Sequence, residues 1–152
     1  MDQPNILLIV LDTARAARVY DSDLMPNLNR VASEAATYEN AFTTAPWSLP
    51  SHASLFTGEY TSSHRTHANS PQFEPETPTL ASRLDAAGYE TLSYSNNFWV
   101  NRSFGVGDGF DDGLTQRPDG EEGDVHQPHQ PHRSREHEQR VPSVVQLVTR
   151  PH

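Results

Sequence analysis

The feature that most constrains this chain is Asn5-Ile6-Leu7-Leu8-Ile9-Val10-Leu11-Asp12, an unbroken apolar run that stops on a carboxylate. A strand with one wet face alternates apolar and polar residues. Unbroken apolarity predicts instead a strand covered on both faces, as in a parallel sheet. The run from Ile6 to Leu11 is too short to cross a membrane, and no basic residue precedes it as one would in a secretory signal. Downstream, Pro26 opens a helical pattern in which Leu28, Val31, Ala32 and Ala35 share one face. Tyr38 to Phe42 reads as a short extended piece and Pro46 to Pro50 as a rigid loop. Ser51 to Thr57 reads as a short helix with Pro50 in its first turn and Gly58 as terminator. Thr77-Pro78 starts another helix, with Leu80, Ala81, Leu84 and Ala87 as its stripe and Gly88 as its end. Tyr89 to Tyr94 follows as a second buried strand. Alternating strands and helices predict an α/β fold with a mainly parallel sheet flanked by helices.

Composition divides the chain. All 13 aromatic residues lie at or before Phe110, whereas residues 114–152 hold 5 of the 12 prolines, 5 of the 8 histidines and only seven apolar side chains. Such a stretch buries too little surface to offset its ordering entropy. The foldable part is therefore placed at residues 1–112, and residues 113–152 are read as a disordered, low-complexity His/Pro/Arg-rich tail. The abrupt change near Gly113 is also what a frameshift in a GC-rich gene produces. Within the tail, His126, His129 and His132 repeat at the polyproline II period, a spacing that suits borderline metals, although the plain reading is an unstructured segment. The chain has no cysteine, hence neither a disulfide nor a thiolate metal site. It has no lysine and a net charge of −9. That balance argues against nucleic acid or an anionic membrane as partner, and it suits a soluble cytoplasmic protein in a salty interior, the alternative being a GC-rich genome that encodes arginine in place of lysine.

Two places carry chemistry. Asp12 closes a buried strand, and ligands of open parallel sheets bind beyond the carboxyl ends of strands, so a hard oxygen donor sits where Mg²⁺ or Ca²⁺ would bind. The alternative is a polar strand stop. In Ser48-Leu49-Pro50-Ser51-His52, a serine at a helix start faces orphan N–H groups that favour an alkoxide or an anionic ester. His52, one turn on, is placed to donate to ester oxygens or to move a proton. The alternative is a serine cap beside an ordinary histidine.

Taken together, Pro4 to Asp12, Met25-Pro26-Asn27-Leu28 and Ala45-Pro46-Trp47-Ser48-Leu49-Pro50-Ser51-His52-Ala53-Ser54-Leu55-Phe56-Thr57-Gly58 resemble the opening of the sulfatase family within the alkaline phosphatase superfamily, over about residues 4–112. The resemblance implies the N-terminal part of an alkaline-phosphatase-like fold and hydrolysis of sulfate esters on small molecules or glycans. It also implies a divalent cation held in part by Asp12, with Thr13 beside it, and Ser48 in the nucleophile position with His52 nearby. His64 falls where the family often has a histidine. In the family the nucleophile position is converted to formylglycine. Here His52 replaces the arginine of the modification signature, so conversion of Ser48 is not expected. Thr13 replaces a second aspartate and Ala17 stands where another often occurs, so the cation is expected to be incompletely ligated. The family's remaining metal ligands come from far downstream, so the chain is expected to be a truncated, inactive fragment. Two other readings stand beside hydrolysis of sulfate esters. One is a phosphodiesterase or phosphoglycerol-type transferase using unmodified Ser48 on phosphate esters. The other is a non-catalytic remnant or binding module.

Overall fold

In the computed structural model, residues 3–20, 23–115 and 144–151 are described, with side chains up to Asp111. The apolar run forms β1 (Ile6–Leu11), followed by the one-turn helix α1 (Ala16–Val19) and by α2 (Pro26–Ala32). Next come α3 (Ser48–Thr57), α4 (Thr61–His64), α5 (Leu80–Ala86) and β2 (Tyr89–Ser95). A 3₁₀ turn at Arg102–Phe104 leads to β3 (Asp112–Thr115), and β4 (Val144–Pro151) ends the described chain.

The four strands form one sheet in the order β1-β4-β2-β3. Only β2 and β3 pair in parallel; β4 is antiparallel to both β1 and β2. The expectation of a mainly parallel sheet is corrected accordingly. The reason lies in the C-terminal segment. Four of the seven apolar residues after Gly113 are concentrated in Val144-Val145-Gln146-Leu147-Val148, a β-branched run with strand propensity that a segment-wide average hides. The expectation of a structureless tail thus fails for residues 144–151, while residues 116–143, including the His126/His129/His132 repeat, lie outside the described residues. Because β1 and β2 are both antiparallel to the strand between them, they point the same way. Leu11 pairs with Val144 and Ser95 with Val145, so their carboxyl ends lie level at one end of the sheet.

The core is built by Leu49, Ala53, Phe56, Phe73, Ala81, Val100, Val106 and Phe110, with Leu8 and Val10 of β1 packed against it. Leu49, Ala53 and Phe56 recur at helical spacing, which turns that face of α3 inward. The other face of β1 is open: Leu7 is 59% and Ile9 49% exposed, so the strand expected to be covered on both faces is covered on one. The stripe on α2 is likewise unpacked, with Val31 56% exposed. Tyr38 to Phe42 forms no strand and exposes both aromatic ends. Helix α5 begins later than Thr77-Pro78 suggests. Its cap is Thr79, whose hydroxyl accepts from the Ser82 N–H, while Thr77 donates to Glu59. Among the described residues no helix is long and apolar enough to cross a membrane.

Candidate active site

Helix α3 carries the first component. It begins at Ser48 itself, three residues earlier than the expected start at Ser51, and ends on Gly58 at φ 74°. Pro50 fits there because the N–H it lacks would have no acceptor in a first turn. Ser48 therefore sits among the unpaired N–H groups at the positive end of a ten-residue helix.

Strand β1 carries the second component. Asp12 is the first residue past the strand, half-buried, and its Oδ2 accepts the Ser48 hydroxyl at 2.6 Å. The chain turns away at once through Thr13, which has φ 60°, unusual for a β-branched residue and a local strain of about 1–3 kcal/mol. Thr13 is exposed and stands outside the hydrogen-bond set around Asp12.

The third component is Asn97, which the sequence reading missed. It lies two residues past β2, is 8% exposed, and its Nδ2 donates both to Asp12 Oδ2 and to Ser48 Oγ, the latter at 3.1 Å. Its Oδ1 accepts the Trp99 N–H at 2.8 Å and its own N–H donates to Ser95 Oγ at 3.1 Å, so the amide has one fixed orientation. The rule that singles out Asp12, a polar residue beyond the carboxyl end of a buried strand, applies equally to Ser95-Asn96-Asn97 and was the available signal. Aromatic packing holds the two loops together. Trp47, next to Ser48, meets Trp99 edge to face with ring centroids 5.3 Å apart, a contact that also contributes about 0.5–1.5 kcal/mol.

His52 faces the backbone rather than the hydroxyl of Ser48. Its Nδ1 lies 2.7 Å from the Ser48 carbonyl, which only accepts, so Nδ1 carries the proton. In the neutral ring Nε2 is then a lone-pair acceptor, and it is buried without a partner among the described residues. His52 is 3% exposed, and burial pushes its pKa below the usual value, against the smaller raising effects of the Ser48 carbonyl and the Asp12 charge. His64 serves a different place. Its Nδ1 accepts the Thr66 N–H, which leaves Nε2 to donate to Ser54 Oγ at 2.9 Å, and burial again lowers its pKa.

A hard divalent cation takes about six or more oxygen donors, usually several of them carboxylates. Around Asp12 the described residues offer one carboxylate, a hydroxyl and an amide whose N–H side is turned toward that carboxylate. Among the described residues no three His, Cys, Asp or Glu side chains converge on a possible metal position. This donor set does not by itself fit the cation that Asp12 and Thr13 were expected to hold. What it does provide is a hydroxyl whose proton points at a carboxylate, at the positive end of a helix. That arrangement suits attack on a tetrahedral anionic ester.

Comparison with known proteins shows the family of the chain. The family model described as Sulfatase matches residues 4–145. A choline-sulfatase of Rhizobium meliloti (strain 1021) is 33% identical over 93 residues, covering 59% of this chain and 18% of the relative. An N-acetylglucosamine-6-O-sulfatase of Bacteroides thetaiotaomicron is 27% identical over 130 residues, covering 83% of this chain and 23% of the relative. A multifunctional alkaline phosphatase superfamily protein, PehA, of Trinickia caryophylli is 35% identical over 101 residues, 59% of this chain and 19% of its own length. The chain thus spans about a fifth of the length of these curated relatives. No solved structure matches it. With a family match over nearly the whole chain, this protein belongs to the sulfatase family of the alkaline phosphatase superfamily.

Proposed function

We propose that this chain carries the nucleophile-bearing part of a sulfuric ester hydrolase in which Ser48 acts as an unmodified hydroxyl. The observation that carries the reading is the 2.6 Å hydrogen bond from Ser48 Oγ to Asp12 Oδ2 at the start of α3. As Oγ attacks sulfur, an Oγ–S bond forms and the bond from sulfur to the leaving oxygen breaks; water then attacks sulfur, the Oγ–S bond breaks, sulfate leaves and the Ser48 hydroxyl takes back a proton. The hydroxyl proton moves to Asp12 and from there to the leaving oxygen. The free N–H groups of the first turn of α3 face the ester oxygens. His52 holds the carbonyl of Ser48 and so fixes the turn from which the hydroxyl projects. The metal on which the family draws requires ligands beyond those described. The substrate class is a sulfate ester of a small molecule or glycan, as the names of the choline and N-acetylglucosamine relatives suggest.

A second reading rests on the same unmodified hydroxyl and on His52 at the arginine position of the modification signature. Ser48 would then transfer a phosphoryl or phosphodiester group, in line with the multifunctional relative. Two measurements separate the readings. The mass of the peptide containing Ser48 shows whether the residue has lost two hydrogens to become formylglycine. Turnover of an aryl sulfate against an aryl phosphodiester, each compared with Ser48→Ala, shows which ester is cleaved. Ser48-dependent turnover of the aryl sulfate with an intact serine supports the proposal. Turnover of the phosphodiester alone supports the second reading. Activity on neither ester, unchanged in Ser48→Ala, leaves a non-catalytic binding role.

A further inference from the structure

We propose that Asn97 is a catalytic residue of this site, whose amide donates a hydrogen bond to the oxygen of the Ser48 nucleophile and directs the serine's own proton to Asp12. The inference rests on the reading of Ser48 as nucleophile and extends it to a residue from another strand.

An asparagine amide nitrogen has two N–H groups and accepts nothing. Asn97 Nδ2 reaches both Asp12 Oδ2 and Ser48 Oγ, the latter at 3.1 Å, so toward each it is the donor. Ser48 Oγ must then receive the amide proton in a lone pair and point its own proton elsewhere. The partner it has is Asp12 Oδ2 at 2.6 Å. Without Asn97 the hydroxyl rotor is free to turn toward other acceptors. With it, the three atoms form a closed triangle that allows one proton arrangement.

The amide cannot flip out of this role. A flip would place Oδ1 against the Asp12 carboxylate, two acceptors facing each other, and would leave the Trp99 N–H opposite an NH₂ group in place of its present 2.8 Å acceptor. The residue is buried and its loop is tied to the loop of Ser48 through the Trp99–Trp47 contact. Such a donor is already in place when charge develops. As the proton leaves Oγ, negative charge grows on an atom that already receives an N–H, the arrangement that makes oxyanion donors effective. The same donation to Asp12 Oδ2 holds the carboxylate with an oxygen toward Ser48.

The test uses the full chain and phenylmethylsulfonyl fluoride. In this reaction the Ser48 Oγ–S bond forms, the S–F bond breaks with loss of fluoride, and the serine proton passes to Asp12. The readouts are the maximal labelling rate, kinact, and the half-saturating reagent concentration, KI, with the adduct located by peptide mass. Asn97→Asp keeps an oxygen for the Trp99 N–H while removing both donors. Asn97→Leu removes the donors without adding charge. Both are expected to lower kinact on the order of 10²-fold, the cost of losing one oxyanion donor, with KI unchanged, while Asn97→Leu also lowers the thermal unfolding midpoint because it strands the Trp99 N–H. Labelling of both variants at the rate of the parent chain overturns the role of Asn97 and leaves Ser48 standing. A fall in kinact that comes only with a raised KI shows a structural residue and also overturns it. If the parent chain forms no more adduct than Ser48→Ala, the nucleophile reading fails and this inference fails with it.

Discussion

Replacing His52 with leucine should remove a pH dependence that the buried ring builds into the fold. At pH 7.5 two effects oppose each other. Leucine loses the hydrogen bond from Nδ1 to the Ser48 carbonyl, a net contribution of about 1 kcal/mol. It also abolishes the buried, unpartnered Nε2, which costs about 1–3 kcal/mol while it remains. The variant should therefore match the parent chain or exceed it slightly. The contrast grows on acidification. Unfolded, His52 takes up a proton near its ordinary pKa of about 6.5; folded, burial holds that uptake to lower pH. Between the two values the unfolded state binds more protons, so stability falls as pH falls, while above the unfolded value His52 contributes no slope. One histidine that resists protonation throughout this window removes up to about 1.4 kcal/mol by pH 5.5.

Urea unfolding between pH 7.5 and 5.5, followed by the fluorescence of Trp47 and Trp99, measures the difference. Those rings pack against each other and straddle the site, so their emission reports its opening. His64, also lowered by burial, adds a slope of the same sign, and the relief of acidic self-repulsion adds one of opposite sign. Both are shared by parent and variant and cancel in the difference. The expected result is a variant that gains on the parent steadily below pH 6.5. Parallel curves would refute the buried neutral ring. A variant that loses ground on acidification would show that His52 is charged in the fold and paired with Asp12.

Gly105→Ala should cost more than about 2 kcal/mol in urea unfolding, because φ is +81° there and a Cβ would lie 2.0 Å from the Phe73 carbonyl oxygen. Thr13→Asn, which tolerates the left-handed backbone better, should raise stability by about 1 kcal/mol in the same assay. Thr91→Val should lose about 1–3 kcal/mol, since it removes the buried hydroxyl that bonds Asp111 Oδ2 at 3.0 Å and the Gly109 carbonyl at 3.3 Å. A chain with a net charge of −9 and no lysine should show a rising thermal midpoint between about 0.1 and 1 M NaCl, as the screening length falls from about 10 to 3 Å; a flat or falling midpoint by calorimetry would contradict the charge argument.

Local signals in the sequence located β1, α3 and β2 because each is written in consecutive residues: the apolar run to Leu11, the Pro50–Gly58 punctuation, and the stretch after Gly88. Elements whose identity depends on distant partners were not legible. The apolar face of α2 is correctly placed in the sequence, yet the fold leaves Val31 exposed, because periodicity records which face could pack and not whether anything meets it. The tail misled for the opposite reason. Four apolar residues, Val144, Val145, Leu147 and Val148, were diluted by the polar segment before them, and the pairing of their strand with both β1 and β2 is a contact across the whole chain.

The site shows the same limit more sharply. Asp12 and Ser48 stand out because each ends or begins an element with a local signature. Asn97 is set 85 residues from Asp12 and 49 from Ser48. No spacing rule connects them. They are brought together because two strands of common direction end level, with one strand between them, and neighbouring strands lie about 4.8 Å apart. Backbones on either side of a strand are too far apart for direct hydrogen bonds, so side chains must span the gap, and short polar ones at both strand ends can do so. The consequence for reading such chains is specific. Where one buried strand ends on a carboxylate, the polar residues just beyond the next strand of the same direction belong in the candidate site, even when no motif marks them. Here that criterion selects Asn96 and Asn97, and hydrogen bonding to both Ser48 Oγ and Asp12 Oδ2 selects Asn97.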